Sequence, residues 1–439
     1  MSRPKRPTTR SAHHTPPAHA GKAHKKLAAV AGCFVLAVGT LFVIENAELF
    51  EDLPLGKRVH QALEHAGSLY QLKMRLVPRP LEAHYTTLVS FTRASEGAFS
   101  GPCEIRAFLA RLIPRIVEMH PAMIVSDIGF ARSNCGQDAQ ETKDLTRELA
   151  AASQSVPIVI GRGSEALDTM PEERAEELRR KGYGEDDLIA IPTIPIPGRG
   201  TLVEGLIRIN KDVKKVPLRW YVHESEDGPL VFHDSLSLAA AKLYRSTFPD
   251  RGKRLQELGA SGYHPFASFL REGDFSVTPA IRLFCNADHG AAHDWRACGA
   301  GEGDAQERRK LYGRILVLGA GDDPNDLWET GVGRLPGFML QANYLEALLD
   351  ARAYRPLSLP YQLLVAALWF GLVELPFWWH GMSTVWALAL SFLVSSMVMF
   401  LLYYVFLVNF AWYVGLAPPS VLAILGRIVY QGLEKKAEA

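Results

Sequence analysis

Fourteen residues from Cys285 to Cys298 (CNADHGAAHDWRAC) hold two thiols and two imidazoles in the spacing Cys-x3-His-x3-His-x4-Cys. Cys285, His289, His293 and Cys298 therefore form a candidate tetrahedral zinc set, since thiolate and imidazole are zinc's usual ligands. The competing reading is a Cys285–Cys298 disulfide, which would close a loop of about 14 residues and stabilise the fold by about 3 kcal/mol. On the oxidising side of a membrane the disulfide is the better reading, because exposed thiolates survive poorly there. Cys103 and Cys135 are the candidates for a second bridge, although four cysteines allow three pairings.

Carboxylates form the other group. Asp127 sits near the end of an apolar run, AMIVSDI (122–128), and Asp322, Asp323 and Asp326 crowd the loop AGDDPND (320–326). If both runs are parallel strands, these acids lie at the strand ends where open α/β sheets bind ligands. They suit a cation such as calcium, or a polar ligand that donates hydrogen bonds. The plainer role for Asp and Gly is to cap a turn and start a helix. The run Gly161-Arg162-Gly163-Ser164 lacks the Gly-Lys-Ser/Thr ending of a phosphate loop and reads as a turn after a strand. His223 and His233 flank the acidic stretch 224–227, which reads as surface. No HExxH and no paired acid/base constellation is found, so no catalytic residue and no cofactor is assigned, and a non-enzymatic role is expected.

The charge distribution and the apolar segments set where these residues operate. Seven of the 48 bases lie in residues 1–26, with no acid, and three lie beyond residue 356, leaving 38 bases against 44 acids in the middle. A middle of net charge −6 is a poor nucleic-acid binder. Residues 1–26, rich in Pro, Thr, Ala and His, are expected to be a disordered cytoplasmic tail. Residues 27–44 (LAAVAGCFVLAVGTLFVI) follow Lys25-Lys26 without a charge and are long enough to span a bilayer. No small-x-small cleavage site follows, so 27–45 is expected to be an uncleaved transmembrane helix with Cys33 inside it.

Downstream, residues 361–379 (YQLLVAALWFGLVELPFWW) form a further span, and the apolar stretch from Val385 to Pro418 is long enough for more than one helix. The segment 357–430 thus holds two or three transmembrane helices, most simply three, with the last two over about 383–405 and about 408–429. Three place 431–439, with Lys435-Lys436, in the cytoplasm. Glu374 inside its span either faces the bundle interior or snorkels, and Asn409 is the other intramembrane polar residue. The block 46–356 is then extracytoplasmic. In it, runs at 122–128, 157–161, 188–191 and 314–319 read as buried strands. Helical spacing appears at 142–152, 171–181, 236–244 and 338–351. This alternation argues for an α/β fold, a mixed or mostly parallel sheet flanked by helices.

These segments, in this order, resemble the CHASE-2 family of extracytoplasmic sensory domains with flanking transmembrane helices. The resemblance rests on AMIVSDIGF (122–130) with Asp127 at the strand's acid, DLTRELAAASQSVPIVIG (144–161), DVKKVPLRWYV (212–222) and DSLSLAAAK (234–242). Its clearest part is GRILVLGAGDDPND (313–326) followed by LPGFMLQANYLEALLDAR (335–352). Gln341 stands where the family usually has His. The resemblance covers roughly residues 27–430 and implies a sensor or receptor subunit of the bacterial inner (plasma) membrane, often a homodimer. Family members commonly continue into a cytoplasmic output domain; this sequence stops at Ala439, so the signal is expected to pass to a separate signalling or envelope partner. The ligand is an unidentified extracytoplasmic one. The alternative is a non-catalytic envelope scaffold or assembly protein; a zinc enzyme built on the Cys/His run is a third reading.

Overall fold

The computed structural model describes residues 82–91, 99, 101–132, 134–184, 187–197, 200–210, 213, 215–248, 266–267, 269–283, 305–321, 323–330, 332–350, 353–356, 361, 364 and 412–413. The chain divides into two units, one of Met1–Gln61, Leu357–Tyr403 and Val414–Ala439, the other of Ala62–Pro356 and Tyr404–Tyr413. Of the first, only Tyr361 and Leu364 are described, and both are exposed. The expected spans at 27–45 and 357–430 therefore lie almost wholly outside the described residues. Among the described residues no helix is long and apolar enough to cross a membrane.

The second unit begins with β1 (Thr86–Phe91), α1 (Pro102–Val117), β2 (Met123–Gly129), α2 (Gln140–Ala152) and β3 (Ile158–Arg162). Then come β4 (Ser164–Ala166), α3 (Glu172–Arg180), β5 (Leu188–Ala190), β6 (Leu202–Leu206), β7 (Arg219–His223), β8 (Leu230–Asp234) and α4 (Leu236–Thr247). The unit continues with β9 (Phe266–Ala267), β10 (Val277–Pro279), α5 (Ala305–Leu311), β11 (Ile315–Ala320), the hairpin β12 (Leu327–Thr330) and β13 (Gly333–Pro336), α6 (Gly337–Leu349) and β14 (Ala353–Pro356).

Six strands form one sheet in the order β10-β1-β11-β2-β3-β6, with every neighbouring pair parallel. One register row, Val277–Leu88–Val317–Val125–Val159–Val203, crosses all six strands. Both faces of such a sheet are covered, so its strands are continuous apolar runs rather than alternating ones. One face packs on Phe108, Leu112 and Ile116 of α1 and Leu145 and Leu149 of α2. The other packs on α4 and α6 through Leu236, Leu238, Phe338, Leu345 and Leu348.

All thirteen residues of α6 are buried. Its mean composition is apolar, and its polar members Gln341, Asn343 and Glu346 each find a hydrogen-bond partner. α4 is capped at its start by Ser235, whose Oγ accepts from the Leu238 N–H. A second sheet, β4-β5-β7-β8, is mixed in direction and lies beyond the ends of β3 and β6. Finally, Trp412–Tyr413 forms a two-residue strand, β15, parallel to Arg355–Pro356 of β14. These two residues are extended where a helix over about 408–429 is expected; β-favouring aromatics followed closely by Gly415 and Pro418-Pro419 make poor helix.

The Cys103–Cys135 disulfide is present, with its Cα atoms 5.1 Å apart, and ties the first turn of α1 to the loop before α2. Arg106, one turn further along α1, is buried beside it. Its guanidinium donates to the carbonyls of Cys135 and Ala131 and to Thr142 Oγ1. Burial pulls the Arg106 pKa below its ordinary value. Cys285, His289, His293 and Cys298 all lie outside the described residues, as do Glu374 and Asn409.

Candidate functional site

Asp127 lies near the C-terminal end of β2, two residues beyond Val125. The β2–β3 register shifts between Ser126 and Gly129, so Asp127 sits in an irregular stretch at the strand's end, beside Ile128, which packs on the α1–α2 side. Across the sheet, β11 ends at Ala320 and the chain passes through the single turn Pro324–Asp326 into the β12–β13 hairpin and then α6. Asp326 is bound in place: its Oδ1 accepts from the Trp328 indole N–H at 3.1 Å and its Oδ2 from the Gly337 N–H at 3.1 Å. A carboxylate on the first N–H of a helix meets an unsatisfied donor and the positive end of the helix dipole.

Two glycines make the approach possible. A Cβ at Gly337 would collide with the Asp326 carboxylate, and one at Gly319 would collide with Phe338, so α6 could not reach β11.

Asp127 is placed differently. It is half-buried, and among the described residues no hydrogen bond reaches its carboxylate. Burial, and next the negative charge of Asp326, push its pKa well above the usual carboxylate range. Burial also raises Asp326, assisted by Asp323 and opposed by the Trp328 and Gly337 hydrogen bonds. Of the four acids expected to form a site, Asp127 and Asp326 are thus electrostatically coupled, Asp323 is exposed at the rim, and Asp322 lies outside the described residues. Among the described residues there is no group of three or more His, Cys, Asp or Glu able to hold a metal ion.

Gln341 stands one helical turn below Gly337 and is 1% exposed. Its Nε2 donates to the Ile207 carbonyl, just beyond β6, at 3.0 Å, and its Oε1 has no partner among the described residues. Gln341 is legible in sequence only as a departure from the family's His; its unpartnered oxygen is not.

A second polar cluster, missed by sequence reading, joins the two sheets. Arg162, at the end of β3, pairs with Glu224 at 2.6 Å and Glu204 at 3.6 Å. Glu224 also meets His233 Nε2 at 2.6 Å, and Glu204 accepts from Thr193 Oγ1. The Arg162 hydrogen bond, with help from His233, holds the Glu224 pKa below its usual value. Arg162 therefore acts as a strut between the sheets, His233 holds Glu224 within the second sheet, and the 161–164 run is a strand-to-strand link rather than a simple turn.

At the opposite end of α6, Glu346 is completely buried. It accepts from the N–H groups of His84, Tyr85 and Thr86 and from Thr86 Oγ1, at 2.6 to 3.2 Å. Asp350 adds a 3.4 Å contact to His84 Nδ1, and Arg314 donates to the carbonyls of Ala83 and His84. One helix thus touches Asp326 at its start and grips the approach to β1 at its end.

A family model described as the CHASE2 domain matches residues 36–391, most of the chain. No curated protein and no solved structure is significantly similar to it.

Proposed function

The chain belongs to the CHASE2 domain family, whose domains are extracellular sensory modules, and from that premise we propose that it is a multi-pass membrane sensor. In this reading the α/β domain lies outside the bacterial inner membrane, between the segment 27–45 and the spans within 357–430, with the N-terminus cytoplasmic. It detects a ligand or envelope condition at the Asp127–Asp326 edge and passes the change to a separate signalling partner, with no chemistry of its own. The supporting observation is Asp127: a half-buried carboxyl held beside a second one, with no hydrogen bond to relieve it among the described residues. Such an arrangement destabilises the resting fold, which makes sense where a ligand is to complete it. α6 then links that edge to the segment entering β1. A ligand shifts such a device only by its differential affinity for two arrangements.

Sidedness is tested by Glu176→Cys, an exposed position on α3. In intact cells a membrane-impermeant maleimide should label it; labelling only after lysis would overturn the reading.

One observation favours a scaffold instead. On the edge strand β8 and its neighbour β7, Leu230, Phe232 and Tyr221 are 49%, 54% and 56% exposed, with the two ring centroids 3.7 Å apart and their planes tilted by 39°. An exposed apolar sheet edge suits a protein partner. A photo-crosslinker at Phe232 that captures an envelope protein stoichiometrically, ligand or no ligand, would favour this second reading.

A further inference from the structure

The end of the six-stranded sheet opposite the aspartates has a chemistry of its own. It gathers Tyr85 before β1, His120 before β2 and Tyr312 before β11. These approaches are tied together, the Gly313 N–H donating to the His120 carbonyl at 3.0 Å and the Ile315 N–H to the Tyr85 carbonyl at 2.9 Å. α4 starts against Gly205 at the end of β6 and delivers Tyr244 and Phe248 to this same edge. The Tyr244 ring lies 5.9 Å from Tyr85 and 4.8 Å from Phe248, and Tyr312 meets His120 edge-on at 6.5 Å. Phe248 is 43% exposed and Tyr312 69%, so the edge shows an aromatic surface. Its charges are engaged: Arg314 donates to the carbonyls of Ala83 and His84, Arg245 to those of Leu348 and Leu349, and Asp350 meets His84.

The chain leaves the domain from this edge. Glu346 fixes the last turn of α6 at the start of β1, and the Leu270 N–H binds Asn343 further up the helix. β14 runs antiparallel to β9, Ala353 pairing with Ala267 and Tyr354 with Phe266, so β14 proceeds away from α6. Only residues 357–360 separate Pro356 from the apolar segment 361–379, a tether no longer than about 18 Å. Trp412–Tyr413, paired with Arg355–Pro356, follows the span expected to end near residue 405 after residues 406–411 alone. Two short tethers to apolar segments therefore converge at β14.

We propose that this edge of the sheet rests on the phospholipid headgroup layer, with the Phe248 and Tyr312 rings seated in it. The proposal rests on the sensor reading, in which 361–379 spans the membrane and the domain lies outside. Tether length selects the bilayer as the occupant, since its surface must lie close to Pro356. Side-chain chemistry agrees, because aromatic rings, tyrosine above all, settle at the boundary between headgroups and acyl chains with the polar tip in water. Charge disfavours the opposite edge, where lipid phosphates would repel the exposed Asp323 and the carboxylates beside it. That edge is left open to the envelope, away from the headgroups.

The test uses the full-length protein in nanodiscs of phosphatidylethanolamine and phosphatidylglycerol. A phosphatidylethanolamine with a diazirine on its headgroup should, on illumination, mark the peptides containing Phe248 and Tyr312. It should leave unmarked the peptide containing Asp138, exposed in the loop beyond β2. A second readout places a fluorophore through Phe248→Cys, Tyr312→Cys or Asp138→Cys, with the protein lacking an added cysteine as the blank. Nitroxide-bearing headgroups should quench the first two severalfold more than the third. Marking and quenching at residue 138 equal to or stronger than at 248 and 312 overturn the proposal, and so does their absence at all three positions, which leaves the domain standing clear of the bilayer. The sensor reading is judged separately by the Glu176→Cys label. Labelling in intact cells with 248 and 312 untouched by lipid removes the proposal and keeps that reading; labelling only after lysis removes both.

Discussion

At the scale of single residues, Asp127 carries the most information. Its folded-state pKa is raised, so the folded chain holds the proton more tightly than the unfolded chain. Protonation therefore favours folding. Stability from this group is present below the ordinary Asp value and is lost as pH rises through the interval up to the elevated folded pKa. Asp127→Asn should remove that loss, raising the thermal midpoint near neutrality and leaving it nearly unchanged at acid pH; unfolding scans at several pH values check it. A variant that unfolds earlier at pH 7 would show that Asp127 is structurally needed. Asp127 and Asp326 were both identifiable as strand-end acids, and their partnership follows from the α/β pattern. Gln341 Oε1 and Glu346 were not, because an orphaned acceptor and a fourfold-satisfied carboxylate both read, in sequence, as ordinary polar residues of a helix.

At the scale of elements, strands β2, β3, β5 and β11 and helices α2, α3, α4 and α6 appear where the periodicity placed them, within a few residues. β1 and α1 were not singled out, and the reason is physical. Thr86 and Thr87 at the start of β1 are fully buried, Thr86 satisfied by Glu346 and Thr87 by the Lys310 carbonyl. In α1, Arg106 and Pro114 interrupt an apolar stripe. Polar groups satisfied from distant parts of the chain break a pattern that assumes apolar cores.

The same contacts make predictions. Glu346→Ala strands four donors at the start of β1 and should destabilise by about 3 kcal/mol or more, with faster amide exchange at residues 84–86. Reducing Cys103–Cys135, which spans 32 positions, should remove about 3–4 kcal/mol on the chain-entropy account, seen as a lower unfolding midpoint in dithiothreitol.

At the scale of the molecule, the exposed β7–β8 edge and the buried sheet behave differently. Phe232→Ser should change thermal stability by no more than about 0.5 kcal/mol, because its ring is largely in solvent already. Leu316→Ala, in the fully buried centre of β11, should cost about 2–5 kcal/mol. Unfolding of the two variants side by side measures the contrast. The parallel architecture was legible because buried parallel strands leave long apolar runs; the second sheet was less so, since β7 and β8 show solvent to most of their residues.

α6 has packed neighbours around its whole circumference. A rod sheathed in this way has no free flank on which to swing or bow without opening voids. It retains two motions, sliding along its own length and turning about its axis. With about 20 Å between its ends, it would behave as a piston, delivering at His84–Thr86 whatever displacement is imposed at Gly337.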